Sequence, residues 1–223
     1  MDLTSHSNVA PDLERMLVRS RELQDRIFEI LGEDGFHDAP RSQAAVGMCF
    51  VAVEHGQAVQ VLMSLALAVS AVGLVRLQFE ALTRAVWLLY AAPDSAVEKM
   101  LAPLTRKSEQ AAKNLPGASD MLDELVKKGR APAAACQMLS HFKEVSWAGL
   151  NSFVHGGVHA LSRSAEGFPT KLALDLLRNS NGLTTMTGMT LAVLTGEQLR
   201  ASAMSRIQRD YADCLPILLE HPY

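Results

Sequence analysis

Residues 72–92 read VGLVRLQFEALTRAVWLLYAA, and three charges, Arg76, Glu80 and Arg84, stand four residues apart inside this apolar run. Steps of four advance a helix by only about 40°, so the three side chains share one narrow stripe. Trp87 projects onto the same stripe, between Arg76 and Glu80. Leu74, Val75, Leu77, Phe79, Ala81, Leu82, Val86, Leu88 and Leu89 fill most of the remaining circumference. A helix that is apolar nearly all round belongs in a protein interior. Charges carried into an interior must find partners or build a site. The stretch therefore predicts a central buried helix and, on it, a polar pocket.

Outward from this helix, almost every segment keeps the three-to-four spacing of apolar residues that marks helices. Pro11 opens a first helix whose Leu13, Met16, Leu17, Leu23, Ile27 and Leu31 recur at that spacing, and Gly32 closes it. Further helices are predicted over 42–65, 70–92 and 95–113. DMLDELVKK, at 120–128, forms a shorter one stopped by Gly129, and another runs from Pro132 until it fades near Gly156 and Gly157. After a loop over 162–170, helices continue to the C-terminus with breaks at 179–182 and 195–196. GLTTMTGMTLAVL, rich in Gly and Thr, predicts close helix packing there. No strand alternation or fixed repeat emerges. The expectation is an all-α antiparallel bundle of about seven to nine helices in a single domain over 1–223. Its core bundle covers about 42–162, and helices over 170–220 pack on it.

Composition narrows the function classes. The 223 residues suffice for a sizeable core, and 48% of them are apolar, which excludes a disordered chain. A formal net charge of −3 and a pI near 6.2 leave no broad basic surface for nucleic acid. Cys49, Cys136 and Cys214 are odd in number and scattered, which fits reduced thiols rather than a disulfide framework or a zinc motif. The charged N-terminal residues lack the apolar core of a secretion signal. Val61 to Val75 imitates a membrane span but is shorter than the roughly 20 residues needed. The expectation is a cytoplasmic protein without membrane contact.

Three constellations carry candidate chemistry. In the first, Glu80 either forms an ion ladder with both arginines or holds their guanidiniums so that free donors face a cavity as an anion clamp. Trp87 is a candidate ligand contact there, although Trp87 and Trp147 also suit a core. In the second, WAGLNSFVHGGVH, Asn151, His155 and His159 are spaced by fours, and Glu144 lies near the same stripe. That face is either a solvated one or a functional one. His-x-x-x-His also allows zinc, although the intervening glycines disturb the shared face. Third, His55 falls on the apolar side of its helix, as a satisfied core histidine or as an acid–base group meeting Glu80 or His155. Phosphate loops, hydrolase elbows and calcium loops are absent from the sequence. No cofactor and no resident metal are expected.

The pairing of R-x-x-x-E-x-x-x-R-x-x-W (Arg76 to Trp87) with W-x-x-L-N-x-x-x-H-G (Trp147 to Gly156) resembles a group of bacterial helical proteins similar to the HEPN superfamily (higher eukaryotes and prokaryotes nucleotide-binding). The likeness covers about Ser42 to Ser162. It implies an antiparallel, often dimeric bundle with a cleft between two helices. Arg76, Glu80 and Arg84 would form one wall, and Asn151 and His155 the other. The ligand would be a small anion, a nucleotide or RNA. In nuclease members an Arg precedes a His by four to six residues, and no histidine here has such an Arg. RNA cleavage would therefore need a composite site, with His155 as acid–base and Arg76 or Arg84 stabilising charge. Two other functions stay open: a non-catalytic assembly whose charges form a structural network, and a metal-dependent hydrolase using His55, Glu80, His155 and His159.

Overall fold

A computed structural model describes residues 11–33 and 35–217, so part of the charged N-terminal stretch lies outside the described residues. Among them are ten helices and no strand, one helix more than the upper end of the expected range. The first, α1, spans Pro11–Leu31 and buries Met16, Leu23, Ile27 and Leu31 along one stripe. It ends where Gly32 takes a φ of +64°, and its last carbonyl, Leu31 O, accepts from Arg200.

The next two helices, α2 (Pro40–Ser64) and α3 (Ala68–Tyr90), form an antiparallel hairpin closed by Leu67 N–H donating to Leu62 O at 2.8 Å. The turn falls within Val61–Val75, so that apolar run is split between two helices. By length and composition α2 itself could cross a membrane, yet it packs Ala45, Cys49, Ala52 and Val59 into the core, fully buried. Its other face leaves Phe50, Val51 and Val61 exposed.

The third helix is the core element anticipated from its sequence. Val75, Phe79, Leu82, Ala85, Trp87 and Leu88 are buried, and each side chain of Phe or Leu size removed from water contributes about 1.5–3 kcal/mol. Two cations fasten its C-terminal end, where unpaired carbonyls and the helix dipole favour positive charge. Arg41 donates to Leu88 O at 2.5 Å and to Asp94 at 2.6 Å, and Lys128 donates to Ala91 O at 2.7 Å.

Where one helix over 95–113 was expected, there are two: α4 (Asp94–Leu101) and α5 (Arg106–Ala112). Pro103 forces Ala102 into extended backbone, and Thr105 then caps α5 through Ser108 in a reciprocal capping box. After α6 (Ala118–Lys128), Gly129 supplies the left-handed stop. The long α7 spans Ala133–Val154. The segment expected as loop is largely α8 (Val158–Glu166), terminated at Gly167.

The last two helices are α9 (Thr170–Leu194) and α10 (Gln198–Asp210), separated at the expected 195–196 break. The break expected at 179–182 is absent. Asn and Gly are poor helix formers, but here tertiary partners override propensity. Ser180 donates to Gln78 Oε1 at 2.8 Å, and Gln78 donates to Ser180 O and Thr184 Oγ1. Asn181 donates to Ser20 Oγ and Cys214 O. Helix α9 thus packs against α1, α2, α3 and α10.

The cysteines are free thiols. Burial pushes the Cys49 thiol up to about 12 and the Cys214 thiol up to about 11, and it raises half-buried Cys136 as well. Thiolate is the reactive form. A disulfide reagent at pH 8 should therefore modify only Cys136 in the native protein and all three after denaturation. Rapid native modification of Cys49 would contradict this packing.

Candidate functional site

The Arg76 end of the α3 polar stripe faces α7. The two helices run antiparallel: Gly73 lies against Val154, Phe79 stacks on Phe142 with centroids 4.9 Å apart, and Phe79 meets the edge of Trp147. In this register Arg76 reaches the end of α7. Its Nε donates to Glu80 Oε1 at 2.8 Å, the i to i+4 contact implied by the spacing. The guanidinium carbon sits 4.7 Å from the Trp147 ring centroid, a cation–π contact. Nη1 lies 3.3 Å from His155 Nε2. Guanidinium has only donors, so this contact requires Nε2 to accept, with the imidazole proton on Nδ1. The Arg76 side chain is 16% exposed. Its remaining Nη1 hydrogen and both Nη2 hydrogens have no partner among the described residues.

The other expected site residues divide. Glu80 binds Arg76 but not Arg84, so the ladder stops after one rung. Arg84 makes no hydrogen bond or ion pair among the described residues, and its Nε is buried without a partner. Asn151 on α7 is half-buried, with its side-chain oxygen also unpartnered. Trp87 is not in the cleft. It is 1% exposed, and its indole donates to Glu124 on α6 at 3.0 Å. That indole bond, with Lys128 adding to it, holds the Glu124 carboxyl below the usual carboxylate range. Trp147, rather than Trp87, is the tryptophan against the Arg76 guanidinium. Its spacing before Asn151 and His155 was the available signal, but the α3 projection drew attention to Trp87.

His55 is half-buried on α2, and its side chain makes no hydrogen bond to Glu80 or His155. His159 leaves the shared face because α7 stops at Val154 and Gly156 takes a φ of +63°. Its ring instead stacks on Phe153. No group of three or more His, Cys, Asp or Glu among the described residues could hold a metal ion. The metal-hydrolase alternative therefore lacks its ligand set.

Beside Trp147 lies an open groove of about 440 Å³ between α6 and α7. It is lined by Leu122, Asp123, Ser140, Lys143, Glu144, Trp147 and Ala148. The site as a whole is one oriented guanidinium, an imidazole from a second helix, and an indole shared with a groove.

A family model described as a family of unknown function (DUF6988) matches residues 49–217. The chain belongs to that family. The matched stretch contains both walls of the site, α3 and α7, and omits α1. Neither a curated protein nor a solved structure matches the chain.

Proposed function

We propose that this family member binds a small phosphate- or carboxylate-bearing ligand between α3 and α7, with Arg76 as the anion contact. The observation that carries this reading is the state of the Arg76 guanidinium. Glu80 and Trp147 fix its plane, so little side-chain freedom is lost on binding, while three of its five donors stay unengaged. Its partly buried position strengthens an ionic hydrogen bond relative to one in open water. His155 adds a second group facing the same space, and Asn151 and Arg84 extend the polar wall. A HEPN-like, cytoplasmic, dimeric protein belongs to the same reading. The outward Val158 (75% exposed) and Leu161 (71%) of α8, a helix with no buried residue, offer a face for a second copy.

Thermal shift with inorganic phosphate tests the proposal. Wild-type protein should gain several degrees at saturating phosphate, and Arg76→Gln should gain none while keeping its helical circular dichroism. An equal gain in Arg76→Gln would refute it. An Arg76→Gln chain that fails to fold would favour the purely structural network instead.

Ribonuclease chemistry is a second reading, favoured by the Arg76–His155 contact across two helices. His155→Ala would then remove RNA cleavage by highly purified protein. Unchanged cleavage would assign that activity elsewhere.

A further inference from the structure

We infer that binding of an anion at Arg76 is coupled to uptake of one proton from solvent by His155, so that the cleft takes the two together. This rests on the anion-binding reading above. Arg76 Nη1 lies 3.3 Å from His155 Nε2, and a guanidinium can only donate. The contact therefore selects the neutral imidazole, with Nε2 accepting. An oxyanion that reaches the unengaged Nη donors lands beside that nitrogen, and two lone pairs then oppose each other. A proton on Nε2 turns the opposition into a charge-assisted hydrogen bond to the ligand. Without an anion the same proton is disfavoured, because it sets an imidazolium against a guanidinium. Among the described residues no carboxylate bonds to His155, and Glu80 is engaged by Arg76 Nε. The incoming anion is thus the group that makes the charged imidazole stable.

The corner between α7 and α8 holds the imidazole at this point. His155 follows the last residue of α7 and donates its backbone N–H to Asn151 O at 3.1 Å. Gly156 then turns the chain at a φ of +63°. Gly157 N–H donates to Ser152 O, and Ser152 Oγ accepts from His159 N at 3.2 Å. A Cβ on Gly157 would stand 2.6 Å from Ser152 Oγ and 3.1 Å from Ser152 O, so the corner is packed for glycine. His155 itself is exposed and open to proton exchange with water. The charged and titratable groups on the elements packed around it are few. On α3 they are Arg76, Glu80 and Arg84. On α8 they are His159, whose ring stacks on Phe153, and Arg163, which pairs with Glu166 at 3.6 Å. On α7 the nearest are Glu144, Lys143 and His141, about three turns or more back along the helix.

Sulfate tests the coupling, because it keeps its double charge across the range in which histidines ordinarily titrate, whereas phosphate itself gains a proton there. Wild-type affinity for sulfate should rise as the pH falls from about 8 to about 5.5, by up to about tenfold per pH unit, the limit for one linked proton. Calorimetry in buffers of different ionisation enthalpy should count about one proton taken up per sulfate bound. His155→Gln keeps a side chain that can accept from Arg76 but cannot be protonated, and its sulfate affinity should not change with pH. Nitrogen NMR of the wild-type imidazole needs no variant: it should show Nδ1–H alone without sulfate at neutral pH, and both nitrogens protonated with it. A pH-independent wild-type affinity, an imidazole that stays neutral in the complex, or a His155→Gln variant with unaltered pH dependence would overturn the coupling while anion binding stands. Failure of the wild-type protein to bind either sulfate or phosphate would overturn both.

Discussion

Gln78→Ala is expected to lower the unfolding free energy by about 3–4 kcal/mol, which for a chain of this size is a fall in melting temperature of roughly 10 °C. Gln78 is fully buried on α3, and its amide both donates and accepts across to α9. Truncation removes three hydrogen bonds and leaves a void where the amide stood. The Ser180 hydroxyl loses its acceptor, while Thr184 keeps its own bond to Ser180 O at 3.0 Å. The neighbouring backbone has no room to collapse cheaply, because Gly56 on α2 already approaches closely. A Cβ placed there would lie 2.8 Å from Gln78 Nε2. Chemical denaturation checks this, with the exposed Gln57→Ala as a control expected within about 0.5 kcal/mol. A Gln78→Ala loss as small as the control's would mean that the α3–α9 contact is not the polar lock described.

Gly188→Val is expected to cost about 2–3 kcal/mol through overpacking. A Cβ at this point of α9 would stand 2.6 Å from Ile27 Cγ2 and 2.9 Å from Met204 Cε. The methionine methyl can swing aside. The Ile27 branch is fixed at its Cβ and held in a stiff rotamer on α1, so the helices must separate instead. Glycine in mid-helix ordinarily sacrifices up to about 1 kcal/mol of propensity. Here that sacrifice permits the three-helix contact. Pairing the change with Ile27→Ala should rescue part of the loss, giving a double variant less destabilised than the sum of the singles. Strict additivity would show that the two residues do not collide.

The all-helical architecture was legible because local pattern and burial agree in this chain. The Leu23–Ile27–Leu31 stripe and the α3 run each specify a helix and the face it buries. Boundaries were less legible where local chemistry competes with tertiary contacts. Asn181 and Gly182 resemble a stop, and only Ser20, Cys214 and Pro216, distant along the chain or from other elements, turn that stretch into continuous helix. Pro103 carried a readable signal that the periodicity around it obscured. At the site, the spacing of Arg76 and Glu80 determined their contact because both lie on one helix. The approach of His155 to Arg76 depends on the register between two helices, which one chain's pattern does not encode. The projection that drew Trp87 into the site ignored the direction of its side chain, which leans toward α6.

The two jaws of the proposed cleft differ in firmness. Helix α3 is pinned at its C-terminal end by Arg41 and Lys128 and is sunk in the core, whereas α7, 22 residues long, buries only Leu139 and Leu150. Guests would thus meet a fixed cation and an adjustable aromatic lip. Selectivity among them would come from how α7 settles, and its seating energy would be drawn from the ligand's own contacts.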